Sequence, residues 1–397
     1  MHVDLNSCFA TVEQQSRPKL RNKPVAISNR TSINSCIITA SYEAKAVGVK
    51  VGMRRIEALS ICPELIFVES EPIKYKYVYH KLLNIMNSYS SHVKMKSIDE
   101  GVIDFKHNEA ILNGKTLGQI GNEIKQRLKD EIGCWMRCNI GIGTNRFLAK
   151  TAAELHKPDG MDIITHKNLR EVFSTLNLRD LTGIAKANEK RLILAGINTP
   201  LEFLDASEEI LQKVVFKSVC GPQWYYRLRG FEVDDYNSDI KTIGRQYVLE
   251  SSRLSQDEIK QRLFHLCEGV GARLRRKNKV ARGVEVHVHT HNHNYWHKRH
   301  KLTVPFFTDK AIWNLARQLF INAPNNIREL GVTCYGIECS TNSQLSIFQD
   351  AIAREENIQL AIDNINNRFG ESTIHCAETL PAKMIKTKIP FGSTRYL

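Results

Sequence analysis

The sequence predicts an α+β chain of several domains. Three observations carry that reading. The chain has 397 residues, 42% of them apolar, enough for two to four cores at roughly 100 to 200 residues per domain. Two long stretches mix alternating apolar residues with segments of helical period. Between them, about residues 161–235, short helical segments are punctuated by Gly and Pro.

The elements follow in order. HVDL at 2–5 sets Val3 and Leu5 against His2 and Asp4 and reads as a short strand. After turn material at 17–24, PVAIS reads as a second strand and 29–35 as a polar loop. CIITASYEAKAVGVKVGM is a strand running into a short helix that ends near Gly48. Helical spacing recurs at 75–88 and 122–129; between them, VKMKSIDEGVIDF alternates like two strands. CNIGIGTNRFLAKTAAEL is strand, glycine turn, helix. Two helices around a hairpin with flanking strands make a sheet layer of ferredoxin-like type. LTGIAKANEKRLILAGI then outlines a helix, a turn holding Gly183, and a second helix opening near Lys186 and ending at Gly196. Helix N-termini are anion sites, so such a hairpin suits a phosphate; an ordinary αα-hairpin has the same outline. Acidic EVDDYNSD (232–239) resembles a linker.

Residues 241–340 form another α/β unit, with strands at IGRQYVLE, GVEVHVHT, KLTVPF and GVTCYGIE and helices at 257–274 and 310–320. Alternation sends Val284, Val286 and Val288 one way and Glu285, His287, His289 and His291 the other, so one face packs on helices and the other is polar. The histidines also admit a metal reading, but carboxylate or Cys partners at fitting spacing are missing from that stretch. The tail, 341–397, holds QLSIF and an amphipathic helix over 350–369.

Composition narrows the function. Apolar runs fall short of the roughly 18 to 20 residues of a membrane-spanning helix, and MHVDLNSC has no leader pattern, so a soluble chain without a membrane partner is expected. Ten Cys without C-x-x-C pairs suit a reducing cytoplasm. The net charge is +14, and residues 241–300 hold thirteen Lys and Arg against five Asp and Glu. That surplus of eight points to nucleic acid, whose phosphates Lys and Arg neutralise.

The chemistry lies in carboxylates and cations. Asp4 ends or nearly ends the first strand, and Asp99 and Glu100 lie between two strands; adjacent strand residues point apart, so the pair converges only across a turn or bulge. Three carboxylates at neighbouring strand ends suit Mg²⁺, and two such ions would polarise a hydroxyl and a triphosphate together. Asp130 with Glu131 and Asp257 with Glu258 are adjacent acids too, so adjacency alone does not decide. Thr39, Tyr42 and Lys45 are spaced to share a helix face, two hydroxyls and a cation where a triphosphate could rest. Lys157, in HKPDG, adds another cation.

The ordered set HVDLNSCFATVE, TASYEAKAVGVKVGM, SIDEGVIDF, NIGIGTNRFLAKTAAELHKPDGM, TGIAKANEKRLILAGI and KTIGRQYV resembles the Y-family, lesion-bypass DNA polymerases of the DNA polymerase IV and V kind over about 340 residues. The resemblance implies a right-hand architecture: a ferredoxin-like palm (1–10 and 70–160), small fingers (11–69), a helical thumb (161–232), a linker (233–240) and an α/β little finger (241–340). It implies that Asp4, Asp99 and Glu100, with the Leu5 carbonyl, hold two Mg²⁺, that Tyr42, Lys45 and Lys157 grip the triphosphate, and that Phe9 bars a 2′-hydroxyl. Gly183, Lys186, Gly244, Arg245, His287, His289 and His291 would meet DNA. The implied activity is template-directed synthesis past lesions, of low fidelity and processivity, on primer-template DNA with deoxynucleoside triphosphates, by a monomer at the cytoplasmic nucleoid. QLSIF looks like a sliding-clamp motif, with Gln344 at a pocket rim and Leu345, Ile347 and Phe348 in an apolar groove.

Several residues depart from the family pattern. Lys45 falls where many relatives have Arg and lacks the bidentate fork. Cys8 takes a position usually aromatic, and Asn6 one that is often Asp. Ala185 replaces the second Gly of a GIG pattern, and its Cβ restricts close approach to a phosphate. Two other readings compete: an inactive scaffold binding DNA and clamp, against which the intact carboxylate set argues, and a nucleotidyl cyclase, which needs neither thumb nor basic little finger.

Overall fold

The structure is a computed structural model describing residues 1–30, 32–33, 35–106, 114–235, 239–249, 251, 254–339, 349–370 and 373–377. The chain divides between Tyr236 and Asn237 into two compact units. The first opens with β1 (His2–Leu5) and α1 (Cys8–Ser16), followed by β2 (Val25–Ser28), β3 (Ile37–Ala40), α2 (Tyr42–Ala46), α3 (Arg55–Ile61) and β4 (Ile66–Glu69). Next come α4 (Pro72–Asn87), β5 (Val93–Met95), β6 (Glu100–Ile103), α5 (Leu117–Glu131), β7 (Cys138–Gly143), α6 (Arg146–Leu155) and β8 (Met161–Ile164).

A five-stranded sheet runs β5-β6-β1-β7-β8. Strands β1, β5, β6 and β7 pair antiparallel, with α4 and α5 in the crossovers, which is the expected ferredoxin-like order; β8 adds parallel to β7. Val3 and Leu5 point into a core shared with Leu82 and Ile85 of α4 and Ile120, Ile124 and Leu128 of α5. The helical spacings of three and four put those side chains on one stripe each. Against β7, α6 sits almost backbone to backbone: a Cβ at Gly141 would collide with the Ala149 carbonyl, and one at Gly143 with the Leu148 carbonyl carbon at 2.7 Å. The glycines of NIGIG thus set the depth of α6. Asn145 caps that helix, accepting from the Leu148 amide at 2.8 Å.

A smaller sheet, β3-β2-β4, carries α2 and α3 around Ala26, Ile37, Ala40, Ala44 and Ala58. Five short helices follow: α7 (Leu169–Ser174), α8 (Lys186–Leu194), α9 (Pro200–Asp205), α10 (Glu208–Ile210) and α11 (Cys220–Leu228). Their core gathers Phe147, Phe203 and Phe216 about Trp224.

Periodicity overlooked α1, because this helix is buried on polar residues too: Thr11, Glu13 and Gln14 are as enclosed as Phe9 and Val12, so no stripe shows. It also gave 161–164 to the helical stretch, whereas β8 closes the five-stranded sheet. The helix expected before the Gly183 turn is only a 3₁₀ turn, Leu178–Asp180. In the acidic segment, Asp235 pairs with Arg146 at 2.6 Å and Asp234 with Arg227 at 2.6 Å, so those residues are pinned down.

The second unit contains β9 (Thr242–Val248), α12 (Gln256–Arg276), β10 (Lys279–Thr290), β11 (Tyr295–Phe306), α13 (Asp309–Phe320), β12 (Ile327–Cys339) and α14 (Gln349–Phe369). Its antiparallel sheet runs β11-β10-β12-β9. Val284, Val286 and Val288 are fully buried in a core with Leu263, Leu266 and Ile312. Strand β11 starts six residues before the expected KLTVPF, since YWHKRH alternates in polar residues that leave no apolar signal. On the polar face its Tyr295, His297, Arg299 and Lys301 stand opposite His289, His287, Glu285 and Gly283.

Candidate active site

The site is built at one end of the five-stranded sheet. Asp4 on β1 pairs in register with Glu100 on β6, and the Leu5 amide donates to the Asp99 carbonyl at 2.9 Å. Asp99 itself precedes β6, in the bend after Ser97; that bend supplies the turn needed for neighbouring acids to converge. Ser97 donates its hydroxyl to Asp99 Oδ1 and accepts from the Glu100 amide at 3.1 Å.

Two lysines neutralise this cluster. Lys157 Nζ donates to Asp4 Oδ2 at 2.5 Å and to Glu154 at 2.8 Å. Lys150, on α6, donates to Glu100 Oε2 at 2.5 Å, and the same oxygen receives His2 Nε2 at 3.1 Å. His2 is buried, and its Nδ1 has no hydrogen-bond partner among the described residues. Hydrogen bonds to the three carboxylates from described residues therefore fall on one oxygen of each, Asp4 Oδ2, Asp99 Oδ1 and Glu100 Oε2. Among the described residues no three His, Cys, Asp or Glu side chains close into a metal cage; lysine ammoniums supply the compensating charge.

Burial, and then the neighbouring acids, push the Asp99 carboxyl above its ordinary range after the Ser97 bond is overcome. Burial also raises Asp4, against the pull of Lys157. Glu100 differs: burial opposes its ionisation, but His2 and Lys150 hold it down at about 2. Lys157 is desolvated too, yet Asp4 and Glu154 lift it above the usual lysine range.

The other candidates divide. Lys45 lies 4.7 Å over the Tyr42 ring and donates to the Ser7 hydroxyl at 2.7 Å. Burial and then Lys157 lower the Lys45 ammonium, so both lysines and Tyr42 share one electrostatic neighbourhood with Asp4. Thr39 does not share their helix face: it lies on β3, paired with Ile27, because Ser41 caps α2 and the helix begins only at Tyr42. Phe9 is buried on α1, its ring stacked on Tyr75 at 4.2 Å. Tyr75 is fixed in turn by its hydroxyl, which donates to buried Glu13 at 3.0 Å.

Gly183 holds the positive φ, +96°, of the turn before α8, and Lys186 opens that helix exposed to solvent. Ala185 is extended, φ −95°, so alanine there carries no backbone strain. On the second unit, Gly244 pairs with Thr333 on the polar face, but Arg245 pairs with Val332 and lies against Gly269 of α12 on the helix-covered face. The alternation that points Val332 inward takes Arg245 with it. His287 is half-buried over Gly331, where only a glycine leaves it room, while His289 is exposed beside Tyr295. His291 falls past the end of β10, in the hairpin turn. Gln344, Leu345, Ile347 and Phe348 lie outside the described residues.

Comparison with known proteins settles the lineage. Residues 3–154 match the impB/mucB/samB family and residues 240–347 match that family's C-terminal domain. DNA polymerase IV of Moorella thermoacetica is 32% identical over 388 residues, 95% of each chain. DNA polymerase IV of Pelotomaculum thermopropionicum is 30% identical over 97% of this chain and 96% of its own. The chain belongs to the Y-family DNA polymerases. A Y-family polymerase chimera, Dbh-Dpo4(243-245)-Dbh, shares the fold with a TM-score of 0.71 at 23% identity, covering 85% of this chain and 98% of the chimera. As a Y-family member the protein is a DNA-directed DNA polymerase.

Sequence reasoning missed His2, Lys150, Arg299 and Lys301. Period two already puts His2 on the face of Asp4, and Lys150 lies on the helix that leads into the loop of Lys157. Neither signal is distinctive without knowing that β1, β6 and α6 adjoin.

Proposed function

We propose that this polymerase extends a primer on its template past lesions, with low fidelity and processivity, at the β1–β6 end of the five-stranded sheet. Convergence of Asp4, Asp99 and Glu100 beside Tyr42, Lys45 and Lys157 carries the reading. The carboxylates are the donor type that divalent cations take, since hard oxygen ligands suit Mg²⁺; here Lys157 and Lys150 hold Asp4 and Glu100 in the cations' stead, and the three do not close into a cage among the described residues. Asp4, Asp99, Glu100 and the Leu5 carbonyl would hold two Mg²⁺, whose Lewis acidity lowers the cost of charge on the entering hydroxyl and on the triphosphate.

The chain's own residues do the rest. Lys157 exchanges its bond to Asp4 for a phosphate oxygen, and Lys45 with the Tyr42 hydroxyl holds the same triphosphate. Lys150 and His2 keep Glu100 ionised and fix its carboxylate plane. Phe9, braced by Tyr75, leaves no space for a 2′-hydroxyl. In this reading the large sheet is the palm and takes β8 with it, the small sheet belongs to the fingers, helices α7 to α11 form the thumb, and the second unit is the little finger. Its exposed Arg299, Lys301 and His289 would lie along the DNA backbone, together with Gly244, while the Gly183 turn and Lys186 would meet phosphate from the thumb.

A monomer at the nucleoid, tethered by a sliding clamp, completes the proposal; among the described residues no helix is long and apolar enough to cross a membrane. An inactive scaffold is not favoured, because it has no use for three aligned carboxylates. Primer extension with Mg²⁺ on a damaged template tests the proposal. Asp99→Ala and Glu100→Ala should each abolish extension and leave DNA binding largely intact, whereas unchanged extension by both would remove the metal assignment.

A further inference from the structure

Asn6 belongs to a buried amide pair. Its Nδ2 donates to Asn139 Oδ1 at 2.9 Å, and the two residues are 3% and 0% exposed. Asn139 lies on β7 opposite Asp4. Both amides then turn to the loop that carries Lys157. Asn6 Oδ1 accepts from the Asp159 amide at 2.8 Å, and Asn139 Nδ2 donates to the His156 carbonyl at 2.9 Å. The Gly160 amide donates to Asn139 Oδ1 at 3.3 Å, and Lys125 of α5 donates to the Asp159 carbonyl. Gly160 fits because a Cβ there would collide with the His156 carbonyl. The loop is thus fixed on both sides of Lys157, whose ammonium lies over Asp4.

We propose that Asn6 and Asn139 are positioning residues that set the height and direction of Lys157 for the triphosphate, an inference that rests on reading Lys157 as a triphosphate contact. The arrangement needs an amide at position 6. Asn139 Oδ1 faces it as an acceptor, and Asn139 Nδ2 is engaged by His156, so a carboxylate would set acceptor against acceptor in a buried place. Both asparagines are buried. Their effect passes through one lysine, which makes it separable from a general loss of structure.

The test is a double-mutant cycle on the full chain, read as KM and kcat for a deoxynucleoside triphosphate and as equilibrium binding of a non-hydrolysable analogue. Asn139→Ala should raise KM and weaken binding about tenfold with kcat within about twofold. Lys157→Ala should do at least as much, and the double variant should lose nothing further, because the amide acts only through the lysine. Asn6→Ala should repeat the pattern and serves if Asn139→Ala does not fold. Additive losses in the double variant, or an unchanged KM in both asparagine variants while Lys157→Ala is impaired, would overturn the positioning role. An unchanged KM in Lys157→Ala would instead withdraw the triphosphate reading, and the inference with it.

Discussion

Gly141→Ala should move the active site by way of the fold. The added Cβ would press into the Ala149 carbonyl and the Ala153 amide, and would stand 3.0 Å from the Ala149 carbonyl carbon, where carbon atoms prefer about 3.5–4.0 Å. These are helix backbone atoms, so no side chain can rotate aside and α6 must rise off β7. Overpacking costs about 1–3 kcal/mol, and rigid obstacles put this site at the upper end. The smaller conformational freedom of Ala in the unfolded chain offsets about 0.4–1 kcal/mol. A net loss of about 2 kcal/mol lowers the melting temperature by about 4–8 °C in a unit of this size. The same shift stretches the 2.5 Å bonds of Lys150 to Glu100 and Lys157 to Asp4, because α6 carries the first lysine and leads into the loop of the second. Calorimetric melting and triphosphate KM measure the two effects. Gly121→Ala is the control: its Cβ would meet chiefly the Met161 sulfur at 2.6 Å, the end of a flexible side chain, and α5 gains about 1 kcal/mol of helix propensity. If Gly141→Ala melts with the parent, or no lower than Gly121→Ala, the close seating of α6 is not what the NIGIG glycines provide.

Three further outcomes are expected. Phe9→Ala should admit ribonucleotides with deoxynucleotide use retained, measured as the ratio of kcat/KM for the two sugars; an unaltered ratio makes Phe9 a core residue stacked on Tyr75. Arg275→Met should destabilise the second unit by about 2–3 kcal/mol, since it leaves two half-buried acids without their cation: the Arg275 side chain is 6% exposed and bonds Asp309 at 2.8 Å and Asp363 of α14 at 2.5 Å. Limited proteolysis should then cut α14 first, and equal protection in both proteins would show that this contact does not hold the helix. Gln344→Ala with Phe348→Ala should abolish stimulation by a sliding clamp without changing clamp-free extension, whereas equal loss of both with a lower melting temperature assigns those residues to the core.

The sequence by itself determined what depends on local spacing. Period two identified β10 and the inward Val284, Val286 and Val288, helical period identified α4, α5, α12 and α13, and motif order led to the Y family with Asp4, Asp99, Glu100 and Lys157 in hand. The tertiary structure decided what depends on register and on which strands adjoin. Arg245 turns to the helices because β9 pairs it with Val332, and Thr39 stays on β3 because the Ser41 cap delays the helix. A strand such as β8 acquires its place only from its neighbour, and α1 shows no stripe because its polar residues are satisfied by distant partners, Tyr75 for Glu13. His2, Lys150, Asn6 and Asn139 were unreadable for the same reason. Their meaning lies in hydrogen bonds across 17 to 153 positions of chain, and only the packing of β1, β6, β7 and α6 brings those donors and acceptors within reach.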